Sequence, residues 1–328
     1  MKKMLLMLGV AAAAMTSCTS DEVLEMNPTN AIKFESFVNK GTRAVTELST
    51  SNLTGFYVIG GYNSDLNNAF NNVSIGKDGT TSVYWVDDQT YHFAAYTNGD
   101  NTKFENASFA YVSTLPTLTF TGYTVDDAKD LVADLALSQD GTQRPTVALT
   151  LQHLLSQVNF QFKNSQTTQD GAITMTISDV EFTSMKSAAT CTYTEDNEGV
   201  PTITWANGTS GVYSYTKTFG GESFPTTTTK GQSFTTESHL VIPGQDLTNV
   251  KVAFKATFYS GNEIVDIKDC TGSDAVSLKT ATVEKWLPGY RYTYIAELPA
   301  KPGTINFSVN VGRWTDESTS NTDISPSN

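Results

Sequence analysis

The sequence predicts an all-β protein whose strands pair antiparallel and pack as sandwiches. Thr, Val, Tyr and Phe are abundant, and turn-forming residues recur at short intervals. Apolar and polar residues alternate with a period of two along several segments, and this alternation dominates over any helical periodicity. Each such segment is typical of a strand with one buried face and one solvated face.

The first 18 residues predict an export signal. Lys2 and Lys3 precede the apolar run 4–14, and small residues follow up to Cys18. This run is too short to span a bilayer, which takes about 20 residues. Residues 15–18 read MTSC and resemble the bacterial lipobox, which implies that Cys18 becomes the lipidated first residue after cleavage. The alternative is an ordinary signal peptide with an incidental cysteine.

Composition limits the classes of function. The net charge of −13 argues against nucleic-acid binding, which needs a basic face. No segment after the signal is apolar for long enough to form a transmembrane helix. Export would allow Cys191 and Cys270 to form a disulfide, but each could equally be a small buried side chain.

Several segments predict strands in chain order. Residues 83–85 and 91–95 flank the turn 87–89 and predict a hairpin, whereas residues 125–133 fit either a short helix or a turn that leads into a strand at 131–135. Residues 147–162 form a long apolar segment that is interrupted at His153 and at 156–157. Later strands are predicted by alternating apolar positions: Ile173, Met175 and Ile177; Val250, Val252, Phe254, Ala256 and Phe258; and Tyr290, Tyr292, Tyr294 and Ala296.

Two polar stretches predict connections. Residues 163–171 contain no apolar position that needs burial, and we expect the boundary between two domains there. Residues 220–236 are rich in Thr, Gly and Ser, which is typical of a long loop inside the second domain.

No pattern in the sequence predicts catalysis, a metal site or a cofactor. His92, His153 and His239 are far apart, and none has a neighbour at a metal-ligand spacing. There is no Gly-x-Ser-x-Gly elbow and no glycine-rich phosphate loop. The acidic cluster 195–199 lacks the ligand spacing of a calcium loop, which favours a solvated hairpin turn.

Aromatic residues offer one further candidate site. They could form a sugar-binding platform, although aromatic residues at strand positions more often belong to a core. The candidate aromatics are Tyr57, Tyr62, Trp85, Tyr96, Trp205, Trp286 and Trp314.

Four stretches, in their order and spacing, together resemble the fimbrillin family, the type V pilins of the Bacteroidia. They are residues 147–160, 240–245, 286–294, and 305–311 with the following Trp-Thr-Asp; residues 130–133 also fit the family's N-terminal domain. The resemblance covers most of the chain. It implies a lipoprotein precursor with two tandem transthyretin-like antiparallel β-sandwich domains.

The resemblance also implies maturation by an arginine-specific protease. Residues 40–45 read KGTRAV and match such a site, with cleavage between Arg43 and Ala44. The alternative is one more basic residue in a linker. The expected division is a signal peptide at 1–18, a removable N-terminal segment at 19–43, an N-terminal sandwich at 44–164, and a C-terminal sandwich with a terminal strand and polar tail at 165–328.

The removable segment contains an imperfect strand. Ile32, Phe34, Ser36 and Val38 alternate with more polar residues. If this strand pairs within the N-terminal sandwich, it covers an edge that would otherwise be open to another chain. Removing it would expose a groove that a strand from another subunit could fill. Residues 19–43 are therefore expected to prevent premature polymerisation.

The C-terminal strand is the candidate for donation. In stalk members of the family the C-terminal segment supplies the donor strand, but here residues 315–328 carry a single large aliphatic residue and can bury little apolar area. Either the strand 305–311 is itself the donor or it completes its own sheet, in which case a tip or accessory subunit is expected. Its apolar residues are Ile305, Phe307, Val309 and Val311.

These inferences predict a non-enzymatic structural subunit of cell-surface fimbriae that serves adhesion. The expected partners are other pilin subunits, the arginine-specific protease, the outer membrane through the lipid (palmitate) on Cys18 of the precursor, and a host or microbial surface ligand; no nucleic acid and no cofactor are expected. The alternative is a surface glycan-binding lipoprotein of a polysaccharide-uptake system, which would keep its N-terminal segment.

Overall fold

The computed structural model describes residues 30–38, 48–99, 101–165, 173–196, 198–214, 233–299 and 305–314. Within these ranges the chain forms β-strands and short 3₁₀ turns without any α-helix, so the predicted all-β class is confirmed. No helix among the described residues is long and apolar enough to cross a membrane.

The strands are numbered in chain order. They are β1 (Phe34–Val38), β2 (Gly55–Tyr62), β3 (Asp65–Gly76), β4 (Thr90–Asn98), β5 (Ala107–Val112), β6 (Leu115–Thr124), β7 (Leu131–Asp140), β8 (Val147–His153), β9 (Ser156–Asn164), β10 (Ile173–Glu195), β11 (Pro201–Ser214), β12 (Ser233–Thr235), β13 (His239–Val241), β14 (Lys251–Ser260), β15 (Glu263–Cys270), β16 (Val276–Ser277), β17 (Tyr290–Leu298) and β18 (Asn306–Arg313).

Three sheets organise these strands. The first has the order β1-β8-β7-β4-β2-β3, and the second has the order β15-β14-β10-β6-β5, with β11 and β16 as additional partners. The third has the order β12-β9-β17-β18, with β13 beside β9. Most pairs are antiparallel, but β1 pairs parallel with β8 and β17 pairs parallel with β9.

Strand β4, in the middle of the first sheet, is buried on both faces. In β4, Tyr91 and Phe93 point into one hydrophobic core, whereas Ala94 and Tyr96 point into another. The expectation of one solvated face per strand is therefore wrong for this strand. The reason is that β6 and β10 cover one face, while β1 and the turns beside it cover the other.

One long strand links the two halves of the chain. β10 pairs with β14 through residues 173–183 and with β6 through residues 188–194. Cys191 and Tyr193 of β10 consequently lie in the same core as Tyr96 of β4. The predicted division at residue 164 and the transthyretin-like form of each domain stay predictions, and residues 166–172 lie outside the described ranges.

Several local predictions are resolved by the backbone. Residues 125–130 form a turn that leads into β7, and the long apolar segment divides into β8 and β9 at Leu154 and Leu155. The predicted hairpin at 83–95 is wrong, because β4 pairs with β2 and β7. Residues 83–85 bond instead to the N-terminal segment, where the amide of Ile32 donates to the carbonyl of Val83 at 2.8 Å.

Two further expectations have partial answers. Most of the loop predicted at 220–236 lies outside the described residues, but its end forms β12, which pairs with β9. Cys191 and Cys270 are both buried and both free, so they do not form a disulfide in this structure.

Candidate functional site

The N-terminal strand lies at the edge of the first sheet. β1 pairs parallel with β8, with Phe34 opposite Val147 and Val38 opposite Leu151. The amide of Val147 donates to the carbonyl of Lys33 at 2.8 Å. Because alternate residues of a parallel strand bond to the same neighbour, the amides of Val147, Leu149 and Leu151 face β1.

Three side chains of this segment are part of the core. Ile32, Phe34 and Val38 are 0%, 1% and 2% exposed, whereas Phe37 on the opposite face is 49% exposed. Fully burying an aliphatic or aromatic side chain contributes about 1.5–3 kcal/mol. The strand is therefore held by several kcal/mol of burial in addition to its backbone hydrogen bonds.

The ring of Phe34 is the deepest of these contacts. Its centroid lies 5.3 Å from that of Phe93, 5.5 Å from that of Phe70 and 6.2 Å from that of Phe56, all edge to face. Such packing is favourable because the positive ring edge meets the negative ring face. Removing β1 would leave a cavity lined by these three rings.

The other side of β1 is covered by a loop, residues 76–85, which we call the clasp. The amide of Phe34 donates to the carbonyl of Gly79 at 2.9 Å, and the hydroxyl of Thr81 donates to the carbonyl of Ile32 at 2.7 Å. The amide of Trp85 donates to the carbonyl of Asn30 at 3.0 Å. β1 thus occupies a slot between β8 and the clasp.

The slot is less enclosed along the middle of β1 than at either end. A cavity of about 360 Å³ lies along residues 33–37, between them and Lys77, Asp78 and Thr146. Beyond this cavity the hydroxyl of Thr50 accepts from the amide of Val38 at 3.0 Å and donates to its carbonyl at 3.2 Å. β1 is therefore fixed at both ends and more accessible in between.

A buried junction brings the end of β8 together with Leu48 and Trp314. His153, the last residue of β8, contacts Asp130 at 2.9 Å (Nδ1 to Oδ2), and its ring stacks on Trp314. Asp130 also accepts from the amide of Leu48 at 3.4 Å. Oδ1 of Asp130 and Nε1 of Trp314 are buried and have no hydrogen-bond partner within the described part of the chain.

Two carboxyl groups lie between the first and second sheets. Asp134 accepts from the amide of Thr150 at 2.6 Å and from the hydroxyl of Tyr193 at 3.3 Å. Burial raises the pKa of Asp134 to about 6, and burial together with the charge of Asp134 raises the pKa of Glu195 to about 7. The two carboxyl groups are therefore partly ionised near neutral pH. Asp134 contacts β8, the strand that forms one wall of the slot.

The C-terminal strand lies at the edge of the third sheet. Among the described strands β18 pairs with β17 alone, from Tyr290 opposite Arg313 to Glu297 opposite Asn306. Phe307, Val309 and Val311 are half-buried against the core, and the ring of Phe307 stacks on Tyr294 at 5.6 Å. In this structure the strand completes its own sheet, and its donation stays a prediction.

The two edge strands share a pattern that our sequence predictions did not use. Alternate positions of both segments hold Ile, Phe, a variable residue and Val, so three of the four residues are identical. This signal was present in the sequence, but only the burial of Ile32, Phe34 and Val38 shows which positions matter. The segments 32–38 and 305–311 read IKFESFV and INFSVNV.

Three predicted sites lie outside the described residues. They are the lipidation site at Cys18, the cleavage site at Arg43 and Ala44, and the polar tail 315–328. Val38, the last residue of β1, precedes Arg43 by five residues. The described strand is therefore adjacent to the predicted cleavage site in the sequence.

The other candidate sites have structural explanations. Trp85, Tyr96, Trp286 and Trp314 are buried in cores, which removes them from a surface sugar platform. The described residues contain no group of three or more His, Cys, Asp or Glu side chains that could hold a metal ion. The carboxylate of Asp196 accepts from the amide of Val200 at 2.8 Å. This hydrogen bond belongs to the predicted turn between β10 and β11.

Comparisons with known proteins agree with this architecture. The model of a family described as fimbrillin-like matches residues 42–314. A fimbrial protein from Bacteroides vulgatus ATCC 8482 is 16% identical with a TM-score of 0.54, covering 87% of this chain and 100% of that chain, and has the same fold. No curated protein matches the chain.

Two further solved structures match at lower TM-scores. A candidate cell adhesion protein from Bacteroides uniformis ATCC 8492 is 16% identical with a TM-score of 0.49, covering 87% of this chain and 98% of that chain. A fimbrial assembly protein from Parabacteroides distasonis ATCC 8503 is 11% identical with a TM-score of 0.44, covering 86% of this chain and 98% of that chain.

Proposed function

Because this chain belongs to the fimbrillin-like family, we propose that it is a subunit of cell-surface fimbriae that polymerises by strand exchange at the slot of β1. Fimbrillin-like proteins are structural subunits, so a role as a non-enzymatic fimbrial subunit follows from the family itself. The mechanism of assembly, the lipid anchor and the position in the fibre are our proposal.

The position of β1 carries the proposal. The strand is buried, lies at a sheet edge and ends five residues before Arg43. Cleavage between Arg43 and Ala44 would disconnect it from the rest of the subunit and leave only non-covalent contacts. Its departure would expose the amides on β8 and an apolar groove, which another strand can occupy.

The donor is the segment 305–311 of a second copy. In its own sheet this strand has one partner among the strands that the structure describes, and its apolar side chains are half-buried. In the slot, the positions of Ile32, Phe34 and Val38 are fully buried. The donor's own Ile305, Phe307 and Val311 would therefore be more fully buried in the slot than in β18, at about 0.8 kcal/mol for each additional buried CH₂ group.

The precursor is held back until the protease acts. Lipidation at Cys18 would tether residues 19–43, and therefore β1, to the outer membrane. Cleavage after Arg43 would separate the subunit from both the tether and the strand that fills its slot. The assembled fibre would then bind a host or microbial surface ligand.

The first test replaces the cleavage site in the full chain. After treatment with an arginine-specific protease, wild type is expected to form a ladder of polymers, whereas Arg43→Ala stays monomeric because β1 cannot leave. Lys40→Ala is the matched control and is expected to polymerise like wild type. If Arg43→Ala assembles as readily as wild type, the proposed locking function of residues 19–43 is wrong.

A deletion separates donation from a purely structural role of the last strand. If residues 305–311 are the donor strand, the variant that lacks residues 305–328 is expected to fold but not to polymerise. If the strand is instead essential to its own core, the same deletion is expected to unfold the second half of the chain. A folded deletion variant that still polymerises would show that another segment is the donor.

The N-terminus of the mature protein distinguishes this function from glycan uptake. Protein isolated from cells is expected to begin at Ala44. A blocked terminus at Cys18 on all of the protein would instead favour the glycan-binding alternative or a subunit that anchors the fibre.

A further inference from the structure

We infer that the clasp is a second, preformed wall of the slot and that Gly79 determines which strand can enter it. This inference rests on the proposed strand exchange and adds to it a partner requirement: the incoming segment is recognised by its backbone as well as by its apolar side chains. The residues that carry it lie opposite β8 and were not identified from the sequence.

Backbone contacts alternate along β1. The amides of Ile32 and Phe34 donate to the clasp, at Val83 and Gly79, at 2.8 and 2.9 Å. The carbonyl of Lys33, between them, accepts from β8. Even-numbered residues of β1 therefore bond toward the clasp and odd-numbered residues toward β8. A strand in the slot consequently forms backbone hydrogen bonds on both of its sides.

Gly79 makes the close approach possible. Its backbone has a φ of +68°, and a Cβ atom built on it would lie 1.8 Å from the carbonyl oxygen of Phe34. No side chain can be accommodated at that distance, because real contacts of a Cβ atom are longer than 3 Å. Any residue larger than glycine would push the occupying strand out of hydrogen-bonding distance of the clasp.

The clasp is anchored by contacts that do not involve β1. The amide of Gly79 donates to the carbonyl of Gly76 at 2.9 Å, and the amide of Lys77 donates to Thr54 at 3.1 Å. The hydroxyl of Thr80 donates to Asp78 at 2.8 Å, and this bond lowers the pKa of the Asp78 carboxyl. These contacts remain when β1 leaves, so the wall is in place before a new strand arrives.

The slot consequently fits an extended segment with free amides at two positions. The residues that replace Ile32 and Phe34 must each donate to the clasp, which excludes proline there. Residues 305–311 of a second copy meet this requirement with Ile305 and Phe307. The residue that replaces Ser36 faces the cavity beside Lys77 and has more freedom.

A peptide experiment tests the backbone requirement on the wild-type full chain after arginine-specific cleavage. The probe is a fluorescent synthetic peptide of residues 303–313. N-methylation at Phe307, the equivalent of Phe34, is expected to weaken binding by about tenfold or more, because it removes a hydrogen bond and adds a clash at Gly79. N-methylation at Val309 is the matched control, and we expect a change of less than about threefold because its amide faces the cavity.

A pair of glycine variants tests the same wall in the protein. Gly79→Ala is expected to weaken binding of the unmodified peptide by about tenfold or more, since the strand loses its bond to the clasp. Gly122→Ala is the control, because Gly122 has a nearly equal φ of +67° but open space where its Cβ would lie. It carries the same backbone strain and should bind like wild type.

The outcomes separate this inference from the proposed function. If the unmodified peptide fails to bind the cleaved wild-type protein, strand exchange with this donor is wrong. If it binds but the two methylated peptides bind equally well, the hydrogen bonds from the strand to the clasp do not determine binding, and the inference is overturned. The peptide arm remains decisive even if Gly79→Ala does not fold.

Discussion

The imidazole of His153 stacks on the indole of Trp314, with ring centroids 3.9 Å apart and planes 7° apart. His153 ends β8, which forms one wall of the slot, and Trp314 directly follows β18, the proposed donor. Leu48, close behind the cleavage site, bonds to Asp130 in the same junction. The end of the accepting strand, the end of the proposed donor strand and the segment that directly follows the cleavage site therefore meet at one buried junction.

The two buried tryptophans near the C-terminus should respond differently to replacement by phenylalanine. Nε1 of Trp314 has no hydrogen-bond partner among the described residues, whereas Nε1 of Trp286 donates to the hydroxyl of Tyr294 at 3.1 Å. Trp314→Phe removes an unsatisfied donor and is expected to cost about 1 kcal/mol of the free energy of unfolding. Trp286→Phe also breaks a hydrogen bond and should cost about 1–3 kcal/mol more.

Chemical denaturation of both tryptophan variants measures this difference. Equal losses of stability would mean that the indole of Trp314 makes a polar contact that the structure lacks. The alanine variants provide the reference, because truncating a buried tryptophan costs about 3–5 kcal/mol at either position.

The two phenylalanines of β1 should contribute unequally to its retention. Phe34 is buried among three other phenylalanine rings, and Phe34→Ala is expected to cost about 3–5 kcal/mol. Phe37 is 49% exposed on the opposite face, and Phe37→Ala should cost less than about 0.5 kcal/mol. In the uncleaved chain, hydrogen exchange of the amides of Val147 and Leu149 is expected to accelerate strongly in Phe34→Ala and hardly at all in Phe37→Ala.

Similar exchange rates in the two phenylalanine variants would contradict the burial of Phe34 as the main contact that retains β1. The comparison is matched, since both changes remove the same atoms from the same strand.

Stability should fall as pH rises from 5 to 8 because of the carboxyl pair. Burial raises the folded-state pKa of Asp134 from 3.8 to about 6 and that of Glu195 from 4.5 to about 7. The folded state therefore binds more protons than the unfolded state in this window, and the stabilisation present below pH 4 is lost as pH rises through 6 and 7. We expect a loss of about 1–3 kcal/mol, reduced by the partial exposure of Glu195.

Asp134→Asn tests this origin of the pH dependence. The amide keeps an oxygen for the amide of Thr150 and removes the charge that acts on Glu195. Denaturation at pH 5 and pH 8 should show less than half of the wild-type difference. Asp246→Asn, at an exposed turn, should retain the wild-type profile; an unchanged profile in Asp134→Asn would assign the effect to other groups.

Local alternation was sufficient to predict several elements. The strands at 173–177, 250–258 and 290–296 follow from apolar residues at every second position, because one face of each meets the core of the second half of the chain. The alternation is absent from β4, because its two faces pack against different cores and the residues on both faces are apolar. The pairing of residues 83–85 could not be predicted from local sequence either, because Tyr84 bridges to Ala31, 53 residues earlier in the chain.

The candidate site depended on contacts that are distant in sequence. Asp130 and His153 are 23 residues apart, and Leu48 and Asp130 are 82 apart. No local pattern predicts that such groups meet, and the same holds for Gly79, whose importance arises from the carbonyl of Phe34. The likeness of residues 32–38 to 305–311 was visible in the sequence, but its meaning depends on which side chains are buried.

Site-specific crosslinking between subunits tests strand exchange most directly. Phe37 lies opposite Thr150 on the exposed face of the first sheet, and the alignment of the two strands puts Asn310 of a donor at the position of Phe37. One full chain carries Thr150→Cys and another carries Asn310→Cys; they are mixed, cleaved with an arginine-specific protease and treated with a short thiol crosslinker. The natural Cys191 and Cys270 are buried.

Polymers formed from this mixture should yield crosslinked dimers between positions 150 and 310. Asn306→Cys in place of Asn310→Cys should yield few, because it lies four residues away along the strand, about 13 Å at 3.3 Å per residue. Polymers that give no crosslink at position 310, or equal yields at 306 and 310, would contradict the exchange of β1 for the C-terminal strand of a second subunit.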